Sequence, residues 1–225
     1  MVSRAQIGLI TTALIPALGL VPAFFNVTNL NWIFKTLIVI GSFAVGLILN
    51  YVEVYRPYIS VRTNHERALL DVITANLTHV LEDLCPGVSG HRFNVMKVGR
   101  KHLFMGTQSL RIRYWRGDYK PSELELEWSS GSGSCGIALA RNQPIYFDRE
   151  AGEERHLNVP AIHKDVTSNI GSILSVPIYR PDSKAPIGIL NVDHARGVEY
   201  TKFDGEAIQT AVIKAAALIG IVLRV

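Results

Sequence analysis

Thiols, imidazoles and hydroxyls are the groups from which this chain could build a reaction centre, and their spacing argues against one. Cys85 and Cys135 are the only cysteines, too few and too far apart for a disulfide framework or a zinc site. The seven histidines are scattered without ligand spacing; His156 and His163 have no second carboxylate or histidine nearby to complete a metal set. No serine sits in a nucleophile elbow. The chain is expected to catalyse nothing and to need neither metal nor cofactor. Binding chemistry is better represented. Trp115 offers an indole face for stacking on a planar ligand. Beside it, Arg116 carries a planar fork able to grip phosphate or carboxylate at two points; a core tryptophan next to a solvated arginine would read the same. Ser134 and Cys135 open a short helix whose N-terminal amides could favour an anion, although Gly131 and Gly133 could be there only to make a turn. Asn191 and Asp193 close a strand, where such side chains commonly form turns.

These residues sit in a segment of orderly periodicity. Asn64–Leu84 reads as a helix, with Leu70, Ile73, Leu77, Val80 and Leu84 as its apolar stripe and Asn64 as N-cap. Strand-like runs follow at His91–Val98, His102–Met105 and Leu110–Trp115, the first two joined by a turn at Gly99-Arg100-Lys101, with a further short strand at Leu124–Trp128. A small helix is predicted near Ser134–Ala140, then strands at Pro144–Phe147, Asn169–Tyr179 and Pro186–Asp193. An amphipathic helix, Lys202–Arg224, closes the series. The pattern is α+β: an antiparallel sheet with helices gathered on one face.

Ahead of this domain lie two apolar stretches, Ala5–Phe25 and Trp32–Tyr51. The first has no ionisable side chain and the second only Lys35. A helix of about 20 such residues crosses about 30 Å of hydrocarbon, and both stretches are long enough. Arg4 precedes the pair, Arg56 and Arg62 follow it, and the connecting Asn26–Asn31 carries no Lys or Arg. The positive-inside rule then places both termini in the cytoplasm. The layout expected is a two-span transmembrane hairpin within residues 1–55, a juxtamembrane linker over 56–63 and a cytosolic domain over 64–225. The localisation expected is the inner, cytoplasmic membrane, as a multi-pass protein. Net charge is +4 with a pI of about 9.1, a modest surplus that demands no nucleic acid.

GSCGIALARNQPIYFD, GSILSVPIY, PIGILNVDH and YTKFDGEAIQTAVIKAAALIG, in this order, resemble the successive signatures of the GAF domain, the small-molecule sensor module of phosphodiesterases, phytochromes and bacterial regulators. The resemblance covers about Asn64–Arg224. It implies a six-stranded antiparallel sheet, a ligand held on the face opposite the terminal helices, and helix-mediated homodimers or higher homo-oligomers. It also places Trp115 and Arg116 where cyclic-nucleotide-binding relatives present an aromatic and a polar partner to the base. His163, Asp165, Thr167 and Ser168 fall in the loop that covers the pocket in related domains. Some relatives attach a bilin through a thiol or reduce free methionine sulfoxide. Cys135 is followed by Gly136 where a Cys-His pair marks bilin attachment, and no closely spaced second thiol could resolve a sulfenic acid. The function expected is a membrane-anchored sensor of a nucleotide-like or other planar anionic ligand, a cyclic nucleotide being one candidate, that signals to its hairpin or to a partner. The alternative is a ligand-free dimerisation scaffold recruiting a separate regulator; a sulfoxide reductase ranks third.

Overall fold

A computed structural model of the chain describes residues 32, 40–41, 43–48, 51–100, 108–152, 158–164 and 167–223, in two units, Met1–His65 and Glu66–Val225. In the first unit, residues 32, 40–41 and 43–48 are helical, and the apolar side chains of Ile40, Val45 and Ile48 are exposed. Ala5–Phe25 and half of the second apolar stretch lie outside the described residues, and no helix among those described is long and apolar enough to cross a membrane.

A π-turn at Tyr51–Tyr55 leads into α1, Arg56–Leu84. Residues 56–63, expected as a linker, are therefore helical, and Asn64 is an interior residue with no capping role. Pro57 follows the π-helical turn directly and lacks the N–H that would bond back to it, which accords with the widened turn before it, and nothing between Pro57 and Leu84 breaks the helix. The stripe that α1 buries also differs from the expected one. Leu70, Thr74, Leu77 and Leu81 are inside, while Val80 and Leu84 are about two-fifths exposed. Thr74 belongs there because its hydroxyl is satisfied: it lies 2.9 Å from the Leu70 carbonyl and 2.9 Å from the Tyr114 hydroxyl, which itself donates to Asp71 at 2.8 Å.

Six antiparallel strands follow: β1 Arg92–Arg100, β2 Gln108–Arg116, β3 Glu127–Ser129, β4 Ile145–Asp148, β5 Ser172–Tyr179 and β6 Pro186–His194. They lie in the order β3-β2-β1-β6-β5-β4. The short helices are α2 Pro121–Leu124, α3 Gly133–Arg141, α4 Ala161–Lys164 and α5 Val198–Thr201, and the chain closes with α6, Glu206–Val222. Gly99 and Arg100, expected in a turn, still pair with Ser109 and Gln108, so the hairpin continues further than the glycine suggests. The strand expected at His102–Met105 lies outside the described residues. The closing helix starts at Glu206 and not at Lys202 because Lys202 adopts φ +53°, the left-handed conformation that ends α5.

Alternation along the strands sorts side chains between two layers. Phe93, Val95, Leu190 and Val192 face α1 and α6, meeting Leu77, Leu81, Val212 and Ile219. Full burial of a side chain such as Ile219 contributes about 1.5–3 kcal/mol. Gly220 lets α6 lie directly on β5: a Cβ there would overlap the Tyr179 carbonyl oxygen. On the other face Met96, Leu110 and Ile189 pack against Trp128, Cys135, Ala138 and Leu139. The helices are thus not gathered on one face. The long pair covers one side, and α3 with its adjoining loops covers the other.

Candidate functional site

The α3 side of the sheet holds a cavity of about 80 Å³. Its floor is Asn94 and Met96 of β1, Ile173 of β5, and Asn191 and Asp193 of β6. One wall is the start of α3 with Trp128; the others come from Tyr119 and Glu123 ahead of β3, and from Phe147, Val159 and Ile170. Gly133 makes the α3 wall possible. It sits at φ +64°, and a Cβ on it would be 2.5 Å from Cζ3 of the Trp128 ring.

A directed chain of hydrogen bonds crosses this floor. Cross-strand register sets Asn191 opposite both Asn94 and Ser175. Ser175 donates to Asn191 Oδ1 at 2.7 Å, so the 2.7 Å contact between the Ser134 and Ser175 hydroxyls has Ser134 as donor. Asn191 then donates to Asn94 Oδ1 at 2.8 Å, Asn94 to the Tyr119 oxygen at 3.0 Å, and Tyr119 to Asp193 Oδ2 at 2.8 Å. Every donor points toward Asp193, as expected if the chain terminates on an ionised carboxylate. The other Asp193 oxygen accepts from Arg92 Nε at 2.6 Å, and Arg92 also reaches Glu123 at 3.1 Å and lies over the Tyr119 ring at 4.3 Å. Burial pushes the Asp193 carboxyl up, and Arg92 followed by Tyr119 pulls it back without cancelling the rise. Burial, then the same carboxylate, holds the Tyr119 phenol well above its ordinary value. The cavity lining therefore carries two carboxylates, Asp193 and Glu123, and two guanidiniums, Arg92 and Arg149.

The residues singled out from sequence fall into three groups. Ser134, Cys135, Thr167 and Asp193 line the cavity. His163 is buried and packs edge-on against Trp128 at 4.4 Å, while the carbonyls of Thr167 and Ser168 accept from Arg149. Trp115 and Arg116 lie away from the cavity: the Arg67 guanidinium covers the indole at 5.5 Å, and Arg116 donates to the Asp71 carbonyl at 3.2 Å. Asp165 is outside the described residues. Asn191 is no turn former; it is a buried mid-strand residue. Burial pushes the Cys135 thiol up to about 12, and Cys85, also raised by burial, belongs to the core on the other side of the sheet.

The sequence model of the GAF domain family matches residues 72–223, more than half of the 225-residue chain. The chain belongs to the GAF domain family. Solved structures with a similar arrangement include the GAF domain of the Acinetobacter phosphoenolpyruvate-protein phosphotransferase, at 13% identity and TM-score 0.49, covering 74% of this chain and 93% of that one. Others are a GAF domain/HD domain protein from Geobacter sulfurreducens, at 15% and 0.47, covering 72% and 99%, and the type II free methionine-R-sulfoxide reductase of Thermoplasma acidophilum, at 13% and 0.46, covering 69% and 95%. No curated protein matches the chain. GAF domains are generally small-molecule sensors or scaffolds, and the cavity-lining residues missed by sequence reasoning include Arg92, Asn94, Tyr119 and Glu123. Arg92 and Asn94 carry one sequence signal, parity: with Met96 they alternate with Phe93 and Val95, just as Asn191 and Asp193 alternate with Leu190 and Val192, whereas Tyr119 and Glu123 lie outside the strands and carry no such signal.

Proposed function

We propose that this GAF domain senses a small molecule with a hydrogen-bond-donating or cationic head and a compact apolar body, and that the N-terminal stretches Ala5–Phe25 and Trp32–Tyr51 anchor it in the cytoplasmic membrane as a two-span hairpin to which occupancy is relayed. The observation that carries the ligand reading is Asp193, a carboxylate 2% exposed that lines the cavity and is held by Arg92 on one oxygen and Tyr119 on the other. A donor head complements that carboxylate, whose oxygens have acceptor capacity beyond these two bonds. Size points the same way: about 80 Å³ is well below the roughly 300–1,000 Å³ of sites for drug-sized ligands. A cyclic nucleotide would have to displace Tyr119 or the wall of α3. The anchoring reading is supported by the near absence of charge, Lys35 alone in the two stretches, and by the exposed Ile40, Val45 and Ile48. Two-thiol sulfoxide reduction has no place in this reading, because Cys85 and Cys135 stand on opposite sides of the sheet.

One observation favours the scaffold reading: the polar chain across the floor is satisfied internally. Thermal-shift and calorimetric titration of the full-length protein with amino acids, polyamines, small amides and cyclic nucleotides decides between the two. The sensor reading expects a small donor-bearing compound to raise the melting temperature, and Asp193→Asn to abolish the shift. If no compound of any class binds, the scaffold reading stands.

A further inference from the structure

The sequence between Asp83 and Asp118 contains seven Lys and Arg and no acidic residue, and the fold concentrates part of that charge on one surface. Lys97 and Arg111 stand directly opposite each other on β1 and β2. Like charges so placed repel and destabilise the strand pair. The register shift between Val95 and Met96 leaves Arg113 as the extra residue of a bulge on β2, since Val95 pairs with Tyr114 and Met96 with Ile112. Bulges re-aim side chains, and here Arg113 joins Lys97 and Arg111 around a single open groove floored by Gly99 and Ser109. All three cations are exposed. Glu127, opposite Arg111 on β3, pairs with it at 2.5 Å and is the groove's only carboxylate among the described residues. Lys97 and Arg113 have no acidic partner among those residues. The groove is separate from the cavity on the α3 side, with no lining residue in common.

We propose that this β1–β2 surface docks on anionic phospholipid headgroups, whose phosphates would sit between Lys97, Arg111 and Arg113 and relieve the like-charge arrangement that the fold otherwise tolerates. A bilayer is the favoured occupant because the same chain carries the two apolar stretches read above as anchors; an anchored domain meets headgroups at high effective concentration. The inference rests on that reading. Each basic residue near an anionic surface gains about fivefold in association, so the two unpaired cations together supply about 25-fold at low ionic strength. The attraction fades as salt shortens the screening length to about 3 Å at 1 M.

The test uses the full-length chain in lipid nanodiscs of phosphatidylcholine alone or of phosphatidylcholine mixed with phosphatidylglycerol. The readout is the rate at which a water-soluble acetylating reagent modifies Lys97, with exposed Lys184 as internal reference. The expected result is at least a fivefold slower reaction at Lys97 in the anionic discs, with no change at Lys184, reversed by high salt and by Arg113→Glu. That variant should melt like the wild type in neutral discs. Equal rates in the two discs overturn the proposal, as does slowing that survives both salt and Arg113→Glu. Protection of Lys97 by short duplex DNA but not by anionic lipid would overturn it in favour of nucleic acid. If the chain enters neither disc, the anchoring reading falls. Salt-sensitive flotation on phosphatidylglycerol vesicles, lost in Arg113→Glu, would then still support the docking surface, and absence of flotation would overturn it.

Discussion

Replacing Arg92 by methionine leaves the Asp193 carboxylate without its 2.6 Å guanidinium partner, in a site where only 2% of the residue is exposed. Removing one member of a buried pair costs about 3–5 kcal/mol. Tyr119 still donates to Oδ2 at 2.8 Å, so the lower end, about 3 kcal/mol, is expected at neutral pH. The stranded carboxyl can escape by taking up a proton. Burial already holds it above its ordinary range, and loss of the guanidinium raises it further. In the unfolded chain Asp193 is ionised above about pH 4. Between pH 7 and 5 the variant's folded state therefore binds a proton that its unfolded state does not, and its stability rises as pH falls, by up to about 1.4 kcal/mol per unit. The deficit relative to wild type should shrink to about 1 kcal/mol by pH 5. Taking the difference at each pH cancels contributions common to both proteins. The double variant Arg92→Met/Asp193→Asn strands no charge at position 193 and leaves only Glu123 without its guanidinium, so its deficit should be smaller and less dependent on pH than that of Arg92→Met. Urea denaturation of the full-length protein in detergent micelles, followed by tryptophan fluorescence at pH 7, 6 and 5, supplies the numbers. A deficit below about 0.5 kcal/mol at pH 7, or one indifferent to pH, would refute the view that Arg92 neutralises a buried charge at Asp193.

Other consequences follow from groups outside that pair. His91, buried against His194 at 5.1 Å and Phe203 at 6.0 Å, is pushed down to about 4 by burial and then by His194. Its unfolded value is near 6.5, so acid favours the unfolded state: stability present above pH 6.5 should be lost between about pH 6.5 and 4, by up to about 3 kcal/mol, and His91→Phe should flatten that window in pH-dependent denaturation. Both thiols are buried and raised, so neither should react with iodoacetamide at pH 8 until the protein is unfolded, as read by intact-mass analysis. Gly220→Val would drive a side chain into the Tyr179 carbonyl. Lifting α6 from β5 should cost about 2–3 kcal/mol in the same denaturation experiment.

Sequence pattern conveyed the layers of this domain better than it conveyed the site. Strand alternation and the apolar face of α6 survive folding nearly unchanged because burial of those residues is what forms the layers. Boundaries moved where a backbone conformation intervened, as at Lys202, or where nothing stopped a helix, as over residues 56–63. The stripe of α1 was misread because Thr74 is polar by type and buried in fact, its hydroxyl being satisfied by Leu70 and Tyr114. Ser134 and Asp193 were legible as polar residues beside a turn and at a strand end. Arg92, Asn94 and Tyr119 were not, because their roles depend on cross-strand register: Arg92 meets Asp193 from 101 positions away. Trp115 and Arg116 looked like ligand contacts by residue type, yet the neighbouring helix supplies Arg67 and the Asp71 carbonyl to occupy them.

The central claim is that the cavity bounded by Asp193, Trp128 and α3 holds a small molecule in the working protein. Mass spectrometry of compounds released on denaturing the purified full-length chain tests it most directly. The account predicts a low-molecular-weight compound bearing a donor or cationic head, present near one equivalent in the wild type and missing from Asp193→Asn. Nothing above the solvent blank in the wild type, or the same compound retained undiminished by Asp193→Asn, would contradict it.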